Sequence, residues 1–199
     1  MLRPGAPGFT LIELMITIAI VGLLVAFGLP AMGTFIANTK VRASAEGLQT
    51  GLAHARAAAI KRNQNVEFVA TNDVIDPTTV DTVTPANDGR SWLIRVLDPA
   101  TATYSLIESK SATEGSGQQE GASTGVVQVA GSVAQVTFRG LGGTNLASAA
   151  TFDFSNPAGG ACNTLGTPGP VRCLRVQVSV AGLIRICDPS TVAPDSRAC

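Results

Sequence analysis

The chain has 199 residues, and its 14 Lys and Arg against 14 Asp and Glu leave a formal net charge of zero. That balance excludes an argument for nucleic acid or anionic lipid from the molecule as a whole, and the length allows one apolar segment plus one globular domain of ordinary size. The charges are unevenly placed all the same. Lys40, Arg42, Arg56, Lys61 and Arg62 face only Glu13 and Glu46 between Phe9 and Arg62, whereas from Asn63 to Glu120 nine acids face only Arg90, Arg95 and Lys110. Beyond Glu120 the arginines outnumber Asp153, Asp188 and Asp195, so an acidic middle lies between mildly basic flanks.

Residues 1–8 are too short and too poor in apolar residues to hold the hydrophobic region of a secretory signal. From Leu14 to Leu29 the only side chain that is neither apolar nor glycine is Thr17. With Phe9 to Glu13 in front, the run approaches the ~20 residues a helix needs to span a bilayer. In lipid such a segment is helical, because a helix satisfies its own backbone hydrogen bonds. Glu13 is the odd member, since a carboxylate near the centre of a spanning helix costs roughly 2.5–3.5 kcal/mol. Pro30 removes one helix hydrogen bond, so a bend or a melted turn is expected there. No cleavage pattern follows the run, so the segment is expected to stay with the mature chain.

Gly8-Phe9-Thr10-Leu11-Ile12-Glu13-Leu14, followed by this apolar run and Pro30, resembles the class III signal of type IV pilins and type II secretion pseudopilins. The resemblance implies cleavage between Gly8 and Phe9 by a prepilin peptidase and N-methylation of Phe9. It also implies that Glu13 neutralises a neighbouring subunit's amine during assembly. Residues 1–8 would then be the leader, 9–31 the transmembrane and assembly helix, 32–63 its amphipathic continuation, and 64–199 a β-rich pilin domain. The implied location is the bacterial inner membrane in a single pass, with the domain in the periplasm, and afterwards a pilus or pseudopilus. Other pilins or pseudopilins are the implied partners. A carboxylate costly in lipid becomes favourable beside a partner's ammonium, so the physics agrees with that role.

Past Pro30, Phe35, Ile36, Val41, Leu48, Leu52, Ala55, Ala59 and Ile60 recur at helical spacing, with Lys40, Arg42, Gln49, Arg56 and Arg62 mostly between them. An amphipathic helix ending near Arg62 or Asn63 follows. After Asn65 the period becomes two. Strands are predicted at Val66–Thr71, Ser91–Leu97, Tyr104–Glu108, Val126–Val129, Val133–Arg139, Thr151–Phe154, Leu174–Val180 and Leu183–Cys187. The expected fold is α+β: a long N-terminal helix packed on an antiparallel, sandwich-like domain. The stretch Leu48–Asn65 and Gly89-Arg90-Ser91-Trp92 are similar to the GspH/FimT subfamily. Trp92 reads as a core anchor.

Catalytic and metal-binding patterns are not found. Gly121-Ala122-Ser123-Thr124-Gly125 has the letters of a nucleophile elbow but lies in a Gly/Ser/Gln-rich stretch expected to be a mobile loop, with no helix after it. The single histidine, His54, reads as a surface or packing residue, and Asp73, Asp76 and Asp81 as a solvated acidic loop. No enzyme, metal or cofactor is expected. Cys162, Cys173, Cys187 and Cys199, crowded into the last fifth, read as disulfides. Of three pairings, Cys162–Cys173 with Cys187–Cys199 is favoured because each closes a short Pro-containing loop.

Leu174 to Cys187 reads as a hairpin turning at Ala181-Gly182, and Arg172, Arg175 and Arg185 are candidate phosphate contacts. The DNA-uptake branch of the GspH/FimT subfamily carries a Gly-Arg-x-Arg motif here. This chain has Gly182-Leu183-Ile184-Arg185, which lacks one of the two motif arginines, so DNA is a possible partner but not the favoured one. The leading expectation is a minor pilin in the tip or initiation complex of a type IV pilus, serving assembly, twitching motility or adhesion. A type II secretion pseudopilin is the second.

Overall fold

The computed structural model describes residues 9–112 and 127–199, with the side chains of residues 25–31 outside that description. The leader with Gly8, the expected mobile loop, the elbow letters at Gly121–Gly125 and Val126 of the fourth predicted strand therefore lie outside the described residues.

Helix α1 runs from Leu11 to Arg62, 52 residues, or about 78 Å at the standard rise. Thr10 caps its start in an extended conformation (φ −83°, ψ 152°), its hydroxyl accepting from the Glu13 amide. With Glu13 at the third helical position, these residues have the spacing of a capping box, and the carboxylate complements the positive end of the helix dipole. Asn63 ends the helix at φ 49°, in the left-handed region where Asn is tolerated, and Lys61 and Arg62 complement the negative end. The helical assignment passes through Pro30 without a break, so the melted turn considered above is absent.

Eight strands follow: β1 (Val66–Thr71), β2 (Ser91–Asp98), β3 (Thr103–Lys110), β4 (Gln128–Gly131), β5 (Gln135–Phe138), β6 (Ala150–Ser155), β7 (Leu174–Val178) and β8 (Ile184–Cys187). They form two four-stranded sheets, ordered β3-β2-β1-β5 and β4-β6-β7-β8, with every ladder antiparallel. The α+β fold expected from sequence is therefore present.

One helix serves both sheets. Ala37, Val41, Ala45, Leu48, Leu52, Ala55 and Ala59 are buried at spacings of three and four. From Val41 onward they share a core with Phe68, Trp92 and Ile94 of the first sheet and Phe152, Phe154 and Val176 of the second. The stripe differs from the expected one. Phe35, Ile36 and Ile60 are exposed, and Ala37 and Ala45 take the buried places. Small side chains let the backbone approach the sheets closely, which a Phe in the stripe would prevent. Gly51 shows the tightness: a Cβ there would lie 2.7 Å from the Trp92 ring. Trp92 in turn stacks at a tilt on Phe68, centroids 5.5 Å apart.

The outer face of the first sheet is covered by the segment between β1 and β2, whose Val80 and Val83 pack on Val69 and Leu93. Arg95 fastens this cover. It is buried, donates to Glu67 at 2.9 Å and to the Val80 carbonyl at 2.8 Å, and lies 3.9 Å over the Tyr104 ring. The carbonyl and carboxylate offset the cost of burying a guanidinium. Burial of the Tyr104 phenol and the charge of Glu67, whose carboxylate accepts from its hydroxyl, push that group's pKa up.

Replacing Gly51 by Ala should cost about 1–3 kcal/mol through overpacking. Because Trp92 is the sole tryptophan, denaturant unfolding followed by its fluorescence reads this directly. An unchanged midpoint would mean the helix and the indole are not in the contact described.

Candidate functional site: the exposed helix and the stapled C-terminal region

The start of α1 is exposed along the whole of its described length up to Leu24. Every large apolar residue from Leu11 to Leu24 is more than half exposed, and Phe9, next to the expected cleavage point, is 81% exposed. Apolar surface of this extent on one rod marks an association or membrane surface. Among the described residues no helix is long and apolar enough to cross a membrane. The described side chains of the apolar run end at Leu24, short of its sequence limit at Leu29. Glu13 is one turn inside the exposed end; its amide donates to the Thr10 hydroxyl, and its carboxylate is in no ion pair among the described residues.

The C-terminal region is stapled twice. Cys162 is bonded to Cys173 (Cα–Cα 5.5 Å) and Cys187 to Cys199 (5.1 Å). The two closed loops touch through Asn163 and Ser190 at 3.4 Å. Asp188 organises the second loop. Its carboxylate accepts from the Ser190 hydroxyl at 2.6 Å, the Ser190 amide at 2.9 Å and Arg172 Nε at 2.6 Å. Burial by itself would raise its pKa, but the bonds from Ser190 and Arg172 outweigh that and leave the group below the usual carboxylate range. Asn38 ties this region to α1, donating to the Pro170 carbonyl (3.3 Å) and accepting from the Arg172 amide (2.7 Å). The signal for that clamp was a lone Asn on the amphipathic half of the helix, and the sequence reading passed over it.

The three candidate phosphate-binding arginines are brought to one region but not left available together. Arg172 pairs with Asp188, and Arg175 is held by Asp153 through two bonds of 2.7 and 3.0 Å, which raise its pKa. Arg185 donates to Gln177 at 2.9 Å and to the Cys199 carbonyl at 3.0 Å. An open groove of about 490 Å³ between α1 and β7–β8 also holds Arg42, Arg172 and Arg197. Their ion-pair partners are Glu46, Asp188 and Asp195 at 2.6–2.7 Å. Each positive charge is matched by a carboxylate, so the groove presents little net field.

The hairpin is longer than the two-residue turn expected. Strand pairing ends at Val178–Ile184, and Ser179 to Gly182 forms a β-turn with Gly182 at φ 80°. The Val180 carbonyl is drawn off the ladder by the Thr144 amide (2.9 Å) and hydroxyl (3.0 Å). Gly182 sits against the Gly142 carbonyl, which also accepts from Arg56 at 3.0 Å. A side chain has neither the dihedral nor the room there. His54 lies 2.8 Å from Glu108 on the surface, a contact between α1 and β3 rather than a catalytic pair.

A half-exposed N-terminal helix whose other half lies on antiparallel sheets defines a pilin-like protein. The chain belongs to the family described as type II transport protein GspH, which matches residues 44–182. Residues 5–29 match the prokaryotic N-terminal methylation motif. Type IV major fimbrial protein FimA of Dichelobacter nodosus is 51% identical over 49 residues, 23% of this chain and 31% of FimA. The fimbrial protein of Moraxella nonliquefaciens is 52% identical over 48 residues, again 23% of this chain and 31% of that protein. The chain thus spans under a third of the length of these relatives. The crystal structure of type IV minor pilin FimU of Pseudomonas aeruginosa shares the fold, with a TM-score of 0.52 and 19% identity over 81% of this chain and 98% of that one.

Asp188→Asn should cost about 1.5–3 kcal/mol at neutral pH, the range for hydrogen bonds to a charged group. The folded pKa lies below the unfolded one, so this stabilisation is complete above about pH 4 and is lost as pH falls through the folded value. Thermal melts should show wild type and variant far apart at pH 7 and converging in acid. A constant gap across that range would remove the charge from the account.

Proposed function

We propose that this protein is a minor pilin, cut between Gly8 and Phe9 by a prepilin peptidase, methylated on Phe9, and incorporated through α1 into a type IV pilus at its initiating end. The observation that carries this reading is the division of one helix into an exposed apolar half and a packed half, with the methylation motif over the exposed part. Before assembly the exposed half resides in the inner membrane with the sheets on the periplasmic side, where the disulfides form. On extraction it exchanges lipid for the helices of other pilins, and Pro30 is the point at which the rod bends.

Glu13 is the selective element in that exchange. Alone in lipid its carboxylate is costly, and the ammonium of a neighbour's methylated first residue offsets the cost only in the assembled state. The cap on Thr10 is made by the Glu13 backbone amide, so loss of the carboxylate removes the pairing and leaves that bond in place. The reading gives the protein no catalytic role.

A second reading, a pseudopilin of type II secretion, is favoured by the description of the family that matches residues 44–182. Deletion of the gene separates the two. Loss of surface pili with secretion intact supports the pilus, and loss of secreted proteins with pili intact supports the pseudopilus.

Glu13→Ala should leave cleavage at Gly8 intact, seen as the mass of the mature N-terminus, while incorporation into sheared fibres falls at least about tenfold, one unlike-charge contact in lipid being worth more than the ~1.4 kcal/mol this requires. Normal incorporation would remove Glu13 from assembly. Glu13→Gln isolates the charge, because Gln keeps the length and shape of the side chain.

A further inference from the structure

The ladders of the second sheet sort its loops into two ends. Phe154 pairs with Leu174 and Arg175 with Cys187 at one end, and Ala150 with Val178 and Val178 with Ile184 at the other. The Ser179–Gly182 turn leaves from the latter end and sits on Gly142, where a Cβ would lie 3.1 Å from Ile60 near the close of α1. Both stapled loops, residues 156–173 and 188–199, leave from the former end. There a Cβ on Gly159 would meet Ala37, and Asn38 holds Pro170 and Arg172. The stapled end of the sheet is therefore the end from which the apolar half of α1 emerges.

The gap between them is short. Ala37 follows Leu29, the last residue of the apolar run, by eight residues, or about 12 Å at the helical rise. The headgroup layer of one leaflet fills roughly 5–7 Å of that distance. Met32, Phe35 and Ile36, exposed in between, keep the helix apolar up to the level of the loops. Phe35 opens onto the same groove as Cys187 and Asp188, so it lies on the side of the second loop. The first sheet stands further off. Its near end, with Gly89, Arg90 and Lys110, meets α1 around Ala43 to Gly47, about 9 Å further along the helix. Asp73, Asp76 and Asp88 belong to the segment that leaves from there.

The loops themselves suit a lipid interface. From Phe154 to Val171 no side chain carries a charge. Leu165 is 59% exposed at the tip of a turn closed by bonds of 3.0 and 3.1 Å between the Thr164 and Thr167 backbones. Val192, 60% exposed, stands on the second loop, which touches the first through Asn163 and Ser190. The three acids beyond Glu120 are each paired with an arginine, Asp153 with Arg175, Asp188 with Arg172 and Asp195 with Arg197. No uncompensated carboxylate on these loops opposes an anionic headgroup. The two disulfides hold the apolar tips in place before contact, which lowers the ordering cost of binding.

We propose that Leu165 and Val192, together with Phe35, form a foot that rests in the headgroup layer of the bilayer holding α1. Resting on the reading of α1 as a membrane helix, this foot adds a contact made by the folded domain. A single helix leaves the domain free to turn and tilt about its axis. Two apolar tips beside that helix fix both motions. Extraction into a fibre lifts the tips out of the lipid, so the contact belongs to the subunit waiting in the membrane.

The test uses the full-length chain in vesicles of phosphatidylethanolamine and phosphatidylglycerol, with a photoreactive phenylalanine derivative in place of Leu165. The same probe at Leu141, 96% exposed on the loop against Ile60, lies about 35 Å away along the helix and serves as reference. Mass spectrometry should find lipid adducts from position 165 at least about fivefold above those from 141. Val192→Glu should cut the adducts at 165 about threefold, and Val192→Leu should keep them. Trp92 emission confirms that each variant is folded. A third probe, at Ile18, reports entry of α1 into the bilayer. Adducts at 18 with position 165 no richer than 141 would end the foot and leave the membrane helix standing, whereas none at 18 would end both. Cross-links from 165 to another protein chain in place of lipid would also overturn the proposal, as would folded Val192→Glu with undiminished adducts.

Discussion

The contact on which everything else depends is the buried stripe of α1, Ala37 through Ala59, lying on two sheets at once. Neither four-stranded sheet has a closed core without it. The stripe is built largely of alanine, so its strength comes less from the bulk of any one side chain than from how closely the helix approaches. Leu48 and Leu52 supply the larger apolar groups, each worth about 1.5–3 kcal/mol when buried. Phe68, Trp92, Phe152 and Phe154 supply the mass from the sheet side. The helix is thus a thin keel between two thick walls, and residues too large for the seam, such as Phe35, occur only where the walls have ended.

The same economy explains the division of labour along α1. Up to Leu24 the described surface of the helix is apolar on every side, the property of a rod that is to be surrounded. From Ala37 onward it is apolar on one side only. The change falls where Asn38 takes the Pro170 carbonyl and the Arg172 amide. Two features that look separate in the sequence, the assembly segment and the cysteine-rich end, therefore meet at one turn of helix.

Much of the architecture was readable from residue order because local signals agreed with the tertiary outcome. The change of period from three-and-a-half to two at Asn65 located the end of α1, and alternation placed each strand within a few residues. What sequence could not supply was the rotation of the helix. Apolarity alone ranked Phe35, Ile36 and Ile60 above Ala37 and Ala45, whereas closeness of approach selected the alanines. The hairpin turn was misread for a related reason: the Val180 carbonyl serves Thr144, a partner 36 residues away, and no local turn rule contains that bond. The arginines were visible as charges, but their partners Asp153, Asp188 and Gln177 are neighbours only after folding. The N-terminal motif was legible because the match over residues 5–29 is contiguous in sequence. Asn38, Arg56 and Arg95 were not, since each acts through a carbonyl or carboxylate distant in sequence.

The stripe also decides how the molecule bears tension. In the fibre proposed above, a pull would enter each subunit through its helix and run parallel to the seam. To withdraw the helix axially, all seven stripe residues from Ala37 to Ala59 must slide together, a shear shared over some 33 Å at the helical rise. Peeling from the exposed end would instead break contacts one at a time, but it meets Asn38 first. There the backbone it grips belongs to a loop closed covalently by Cys162 and Cys173. The place most open to unzipping is thus the place held by the short covalent ring.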